Sequence, residues 1–354
     1  MYNIKHKYIF IEVSINMKIA LDAMGGDNAP RETVLGAILA LKEIKDLEII
    51  LVGNREKIQA ELDTNAYAGN NIEIRETYDI IGMDEDPVQA IRKKPKASMN
   101  VALDLVKNGE ADASVSAGNT GALITGSQLK LRRIKGVLRP AIATIFPAKG
   151  KQIVFMDVGA NSDCRPEFIN QFAIMGSIYA EELLEVKRPK VGLLNIGTEE
   201  GKGNEITRDS YELLKKNKNI DFIGNIESRD MMNGSVDVVV TDGFTGNMVL
   251  KTAEGVVKFI FDNLKEEISK SFMGKMGALL LMPIFKKLKQ KMDSSEYGGA
   301  IFLGLNGISI KAHGNSDANG FKNAIKVANK FAEDKFIEQL KTAIDRSEEE
   351  NNEV

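Results

Sequence analysis

The 354-residue chain carries 47 Lys and Arg against 50 Asp and Glu, a formal net charge of −3, with 43% hydrophobic and 27% charged residues. That length allows one large domain or two smaller ones with ample core, and the charge balance argues against a dedicated nucleic-acid binder. The single cysteine, Cys164, excludes an intrachain disulfide, and with only two histidines, His6 and His313, a four-ligand Cys/His zinc site is excluded too.

Residues 1–16, "MYNIKHKYIFIEVSIN", hold no recognisable motif. Their apolar stretch is short, broken by Glu12, and lacks a small-residue cleavage site, so it does not read as a signal peptide. We expect a dispensable extension, with Met17 as a candidate translation start. "KIALDAMGGD" then reads as a strand ending in a polar glycine turn, and "PRETVLGAILALKEI" as a helix with Pro30 near its first turn. "LEIILVGN", "ADASVSAGN", "AIATIFPA", "QIVFMDVGAN", "KVGLLNIGTEEG" and "VDVVVTDGFTGN" repeat the strand pattern. Each is a near-continuous apolar run, most of them closing on Gly, Asn or Asp. Such runs suit strands covered on both faces, so the expected class is α/β: three layers, a mostly parallel sheet with flanking helices. The polar closures are expected at the carboxyl ends of the strands, where open α/β sheets bind ligands.

Residues 252–292 depart from this pattern and read as a projecting pair of helices, with Val257, Phe261, Leu264, Ile268 and Phe272 at near-helical spacing. The main domain is expected over 17–346. The last eight residues, "SEEENNEV", are acidic and are expected to be disordered. No apolar run approaches the ~20 residues that span a bilayer, and the expected location is the cytoplasm.

The stretch "SAGNTG" (Ser116, Ala117, Gly118, Asn119, Thr120, Gly121) falls where a strand over 111–116 hands over to a helix over 122–131. Unpaired N–H groups and the positive end of the helix dipole favour an anion there, and small side chains let a ligand approach the backbone. The competing reading is an ordinary turn with Asn119 or Thr120 as N-cap. Similar closures are "DAMGGDNAP", "DVGANSD", "NIGTEEGKGNE", "DGFTGN" and "AHGNSD". None has the spacing of a dinucleotide fingerprint, a P-loop or a nucleophile elbow.

Taken in order, "MKIALDAMGGDNAP", "SAGNTGA", "RPA", "DVGAN", "LLNIGTEEGKGNE", "DGFTGN" and "HGNSDANG" resemble the PlsX family of acyl-acyl carrier protein:phosphate acyltransferases, from Met17 to about Phe336. The resemblance implies transfer of a fatty acyl group from acyl carrier protein to inorganic phosphate. It also implies a fold similar to phosphotransacetylases and a homodimer. The acyl phosphate would then serve a downstream membrane glycerol-3-phosphate acyltransferase in phospholipid synthesis. No cofactor and no metal are implied. Two other classes stay open: a phosphotransacetylase acting on a short-chain acyl-CoA, and a non-enzymatic module sensing acyl carrier protein or lipid.

Phosphate attack on a thioester needs an oriented dianion, screening of its charge, and donors aimed at the developing oxyanion. The "SAGNTGA" backbone is the candidate phosphate cradle, with Asp22, Gly25, Gly26, Asn204 and Asp242 as further substrate-binding candidates. Lys202 is the candidate for charge neutralisation, and Asn119, Asn161, Asn195 and Asn247 for donors to the carbonyl oxygen. His313 is a candidate general acid or base. Asp22, Asp27, Asp157 and Asp242 read mostly as caps and loop ties, and Cys164 lacks a local thiolate-stabilising partner. Two cationic stretches, 91–98 and 130–139, are candidates for docking an acidic carrier protein.

In "GALLLMPIF" the residues Leu279, Leu280, Leu281, Met282, Ile284 and Phe285 form a candidate membrane contact, followed by Lys286, Lys287, Lys289 and Lys291. Leu281, Phe285, Leu288 and Met292 share one helical face. Pro283 is expected to kink or interrupt the helix and present a projecting tip. A dimer interface is the competing reading of the same surface.

Overall fold

A computed structural model describes residues 16–292, 294–333 and 335–352. The expected N-terminal extension, apart from Asn16, lies outside the described residues, as do the last two residues of the tail. Every apolar run singled out above forms a strand. The first part alternates β1 (Met17–Asp22), α1 (Arg31–Glu43), β2 (Leu47–Gly53), α2 (Arg55–Thr64) and β3 (Ile72–Glu76). Next come α3 (Pro87–Lys93), α4 (Ser98–Lys107), β4 (Ala113–Ser116) and α5 (Thr120–Leu131). A hairpin of β5 (Ala141–Ala148) and β6 (Lys151–Met156) leads to α6 (Pro166–Leu184). β7 (Lys190–Asn195), α7 (Glu205–Lys216), β8 (Asp221–Glu227) and β9 (Val238–Val240) follow. The chain ends with α8 (Gly243–Ser269), α9 (Phe272–Met292), β10 (Ala300–Leu303), β11 (Ile308–Lys311), α10 (Ala318–Glu333) and α11 (Phe336–Asn352). Periodicity missed β3 and β8, edge strands that are only partly buried, and also the four-residue β10 and β11.

The strands form one 11-stranded sheet in the order β3-β2-β1-β4-β11-β10-β5-β6-β9-β7-β8. All neighbours are parallel except at three joints, β11–β10, β10–β5 and β5–β6. Three reversals turn one parallel block against the other. The polar closures therefore do not gather on one edge as their common position in sequence suggests. Those after β1, β4 and β11 leave one edge, those after β6, β7 and β9 leave the opposite edge, and β5 closes into its hairpin at the edge its own block does not use. Lys311, Ala300, Thr144 and Phe155 lie on one rung across the middle of the sheet. The two sets of loops thus overhang the same short strands.

Helices cover both faces, giving three layers. On one face Val34, Ala37 and Ile38 of α1 pack with Ile19, Leu21, Ile49 and Leu51, and α6, α7, α10 and α11 continue that core. On the other, α3, α4, α5 and the start of α8 cover Ile142, Phe155, Phe302 and their neighbours.

Three expectations need correction. The helix pair begins at Gly243 rather than near Thr252, because the side chain of Asp242 accepts the Thr245 N–H and caps α8 directly after β9. Pro283 does not break α9, which runs continuously past it, so the tip of the pair is the turn between Ser269 and Phe272 and not the "LLLMPIF" segment. On an exposed helix, water can take the carbonyl that a proline leaves unpaired. The acidic tail is helical to Asn352, since Leu340, Ile344 and Ser347 keep a buried stripe that holds α11 against the body.

Candidate active site between two helices

Three loops converge above the ends of β1, β4 and β11. The Ser116 hydroxyl donates to Asp22 Oδ2 at 2.6 Å and accepts the Gly118 N–H at 3.1 Å. A Cβ on Gly25 would stand 2.5 Å from Asp22 Oδ2 and 2.8 Å from the Gly118 nitrogen, so only glycine lets the first loop lie this close to the second. Gly26 takes a φ of +105° beside Ala117 and Gly314, and the Asp27 N–H donates to the Gly314 carbonyl at 2.8 Å. Asp22 is fully enclosed. Burial pushes its carboxyl above the usual range, partly offset by hydrogen bonds from Ser116 and Ser98.

Asn119 is the N-cap of α5: its Oδ1 accepts the Ala122 N–H at 3.0 Å. Its amide N–H groups are taken by the carbonyls of Met83, Gly82 and Glu85, the first at 2.8 Å. Asn119 is therefore spent on holding the loop and is no donor to a substrate. Thr120 and Gly121 follow it as the first residues of α5, and Thr120 faces a cleft.

That cleft encloses about 480 Å³. It lies over β5 and β10, between the start of α5 and one side of α8. Asn247, Leu250, Lys251 and Glu254 line it at helical spacing from α8, Ile142 and Thr144 from β5, and Val158 and Gly159 from the loop after β6. Lys311, His313 and Gly314 close the end nearest α5, with Asp27 and Met83. Lys251 pairs with Glu254 at 2.7 Å. Lys311 is buried, and its ammonium donates to the carbonyls of Ala117 and Ala312. Burial pulls its pKa down to about 8. The cleft is thus polar at the α5 end, where the buried Lys311 ammonium lies, while Ile142, Val158 and Leu250 give it an apolar wall.

The structure brings Thr120, Asn247 and His313 together in this cleft, and sets Ser116, Ala117, Gly118, Gly121, Asp22, Gly25 and Gly26 directly behind it. It places the others elsewhere. Both amide N–H groups of Asn161 go to the Pro140 carbonyl and to Asp157, so Asn161 is a loop tie. Asp157 accepts the backbone N–H groups of Ile142, Gly159, Ala160 and Asn161, and Asp242 and Asn204 are helix N-caps. Asn195 holds the next loop by donating to the Lys202 carbonyl at 3.1 Å. Lys202 is half exposed, 3.8 Å from Glu199, and does not line the cleft. Cys164 is buried, with its thiol pushed up to about 12 by desolvation. Among the described residues no three His, Cys, Asp or Glu side chains stand together as a cation site would need.

Sequence reading missed Lys311 and Lys251. Both left a trace: Lys311 is a charge ending an apolar run directly before "AHGNSD", and Lys251 lies one helical turn beyond Asn247.

Comparison with known proteins adds the chemistry. A family model described as fatty acid synthesis protein matches residues 17–339. A phosphate acyltransferase of Fusobacterium nucleatum is 60% identical over 330 residues, which is 93% of this chain and 99% of the relative. One from Clostridium tetani is 49% identical over 325 residues, covering 92% and 97%. Among solved structures, a phosphotransacetylase from Streptococcus pyogenes matches with a TM-score of 0.61 at 19% identity, over 91% of this chain and 96% of that one. EutD phosphotransacetylase from Staphylococcus aureus gives 0.59 at 15% identity, over 90% and 94%. These two establish the fold.

Proposed function

The chain belongs to the fatty acid synthesis protein family and is an acyltransferase that passes an acyl group to phosphate; from that premise we propose that acyl carrier protein brings the acyl group as a thioester and that phosphate attacks it from the start of α5. The observation that carries this reading is the division of the cleft into a polar end that holds the buried Lys311 ammonium and an apolar wall. Phosphate docks on the free N–H groups that begin α5, next to the Thr120 hydroxyl. The acyl chain lies along Ile142, Val158 and Leu250. The Asn247 amide meets the carbonyl oxygen, and His313 protonates the leaving thiolate. Lys202 reaches the substrate from the rim, since its loop leaves β7 at the edge used by Gly159, two strands and about 10 Å from β6. No enzyme-bound intermediate is needed, because phosphate is itself the nucleophile.

The test is thiol release from acyl carrier protein thioester and from acyl-CoA, each with and without phosphate. Phosphate-dependent release from the carrier protein is the expected result. Release from acyl-CoA alone would overturn the choice of donor.

The docking surface is the 130–139 stretch. There Arg132, Arg133, Lys135 and Arg139 are exposed without a carboxylate partner among the described residues while Lys130 pairs with Asp104, against three such cations, Arg92, Lys93 and Lys96, in 91–98, where Lys94 pairs with Glu85. Arg132→Glu with Lys135→Glu should raise the KM for the carrier-bound donor by about tenfold and leave that for acyl-CoA unchanged.

The α8–α9 pair serves as a membrane contact and as part of a homodimer surface, delivering acyl phosphate to a membrane glycerol-3-phosphate acyltransferase from the cytoplasmic side. Leu279, Leu280, Leu281, Met282 and Ile284 are exposed, with Phe285 half-buried, and exposed Lys286, Lys287 and Lys291 follow. Among the described residues no helix is long and apolar enough to cross a membrane. Leu280→Glu with Phe285→Glu should abolish sedimentation with anionic vesicles while sparing activity in solution. Monomerisation of this variant would instead assign the surface to the dimer.

A further inference from the structure

Lys311 is the buried cation of the cleft. It is 8% exposed, ends β11, and lines the cleft beside Thr120 and His313. Its ammonium donates to the Ala117 carbonyl at 3.2 Å and to that of Ala312. Both acceptors are neutral. The other lysine lining the cleft, Lys251, has Glu254 at 2.7 Å, but among the described residues no carboxylate oxygen stands at ion-pair distance from Lys311. A brace between two loop carbonyls needs only two neutral donors, which a side-chain amide supplies without the cost of burying a charge. An ammonium has three N–H groups, so one is left for the cleft. The missing member is an anion.

We infer that Lys311 is a phosphate-binding residue, whose charge meets the attacking phosphate where it docks on the start of α5. The inference rests on the reading above that phosphate binds there. Ala117, which receives one of the ammonium's hydrogen bonds, belongs to the loop that leads into α5, so cation and helix N-terminus are held in one unit. The surroundings make the contact sensitive to pH. Lys251 and Glu254 face this end from α8, Asp22 and Asp27 from the end of β1, and His313 from the same loop. Desolvation, aided by Lys251, pulls the Lys311 pKa down to about 8, against the opposing pull of Asp22 and Asp27. The charge is present at neutral pH and lost as pH rises through about 8. A neutral amine still has two N–H groups for Ala117 and Ala312. Deprotonation therefore removes the phosphate contact and keeps the brace.

The experiment measures initial rates against phosphate at saturating acyl donor for wild type, Lys311→Met, Lys311→Arg and Thr120→Val. Thermal melting with and without inorganic phosphate reports folding and binding. Lys311→Met should raise the phosphate KM roughly 10- to 100-fold with the donor KM unchanged, and should lose the stabilisation by phosphate. Lys311→Arg should keep most of the affinity. The wild-type phosphate KM should climb through about pH 8, and that of Lys311→Arg should stay flat. An unchanged phosphate KM in folded Lys311→Met overturns the inference. If Thr120→Val still raises that KM, the site at α5 stands; if neither variant moves it, that reading falls as well. Equal changes in both substrates' KM with no rescue by arginine assign Lys311 to the brace and also overturn it. Should Lys311→Met fail to fold, a wild-type phosphate KM that is flat through pH 8 does the same.

Discussion

Two glycine-rich loops, 116–121 and 195–204, look alike in sequence and differ in the folded chain. The first is stitched in place by buried groups: Ser116 on Asp22, Asn119 on three carbonyls, and Lys311 beneath Ala117. The second is held by groups at the exposed rim, Asn195 on the Lys202 carbonyl, Asn225 on that of Glu199, Tyr211 and Lys215 on Glu200, and the Asn204 cap, and its lysine stands half in water. Small, polar composition makes both loops fit to approach an anion. Only the first is pressed against a cleft, because β4 lies beside β11 in the middle of the sheet while β7 lies next to its edge. Composition sets what a loop can bind, and strand order sets whether a second wall faces it.

Asn119→Ala gives the largest contrast. Losing the cap and leaving three carbonyls without their donor should cost about 3 kcal/mol of stability, read by denaturant unfolding. Lys202→Met tests the other loop from the side of function. If its lysine reaches the substrate, turnover should fall about 100-fold with the melting temperature unchanged. Wild-type turnover would leave that loop without a part in the reaction. Thr120→Val removes one hydroxyl at nearly constant volume and should raise the phosphate KM by about five- to tenfold, without a change in the donor KM. Asn195→Ala should be the mildest, about 0.5 kcal/mol, because water replaces its partners at the exposed rim. A loss as large as that from Asn119→Ala would erase the distinction between the loops.

Much of this molecule was legible in the chain itself. The apolar runs had to be covered strands, since continuous burial on both faces leaves no room for alternation, and all seven are. The role of Asp157 and Asp242 as loop ties followed from carboxylates standing where backbone N–H groups are left over. The start of α5 was legible as a helix N-terminus next to small residues. Its choice between Asn119 as ligand and Asn119 as cap was not, because both use the same side chain.

What the sequence could not determine was which closures face each other. That depends on three antiparallel joints, made by strands of four to eight residues whose pairing is set by long-range contacts and not by local pattern. The reversal of one parallel block against the other decides that Gly159 and Asn247 meet Thr120 and His313 across one cleft while Lys202 stands outside it. It also decides the state of Lys311. A lysine closing a strand is ordinarily a solvated end. Here neighbouring loops bury its ammonium with no carboxylate at ion-pair distance among the described residues, and burial is a property of the assembled fold alone.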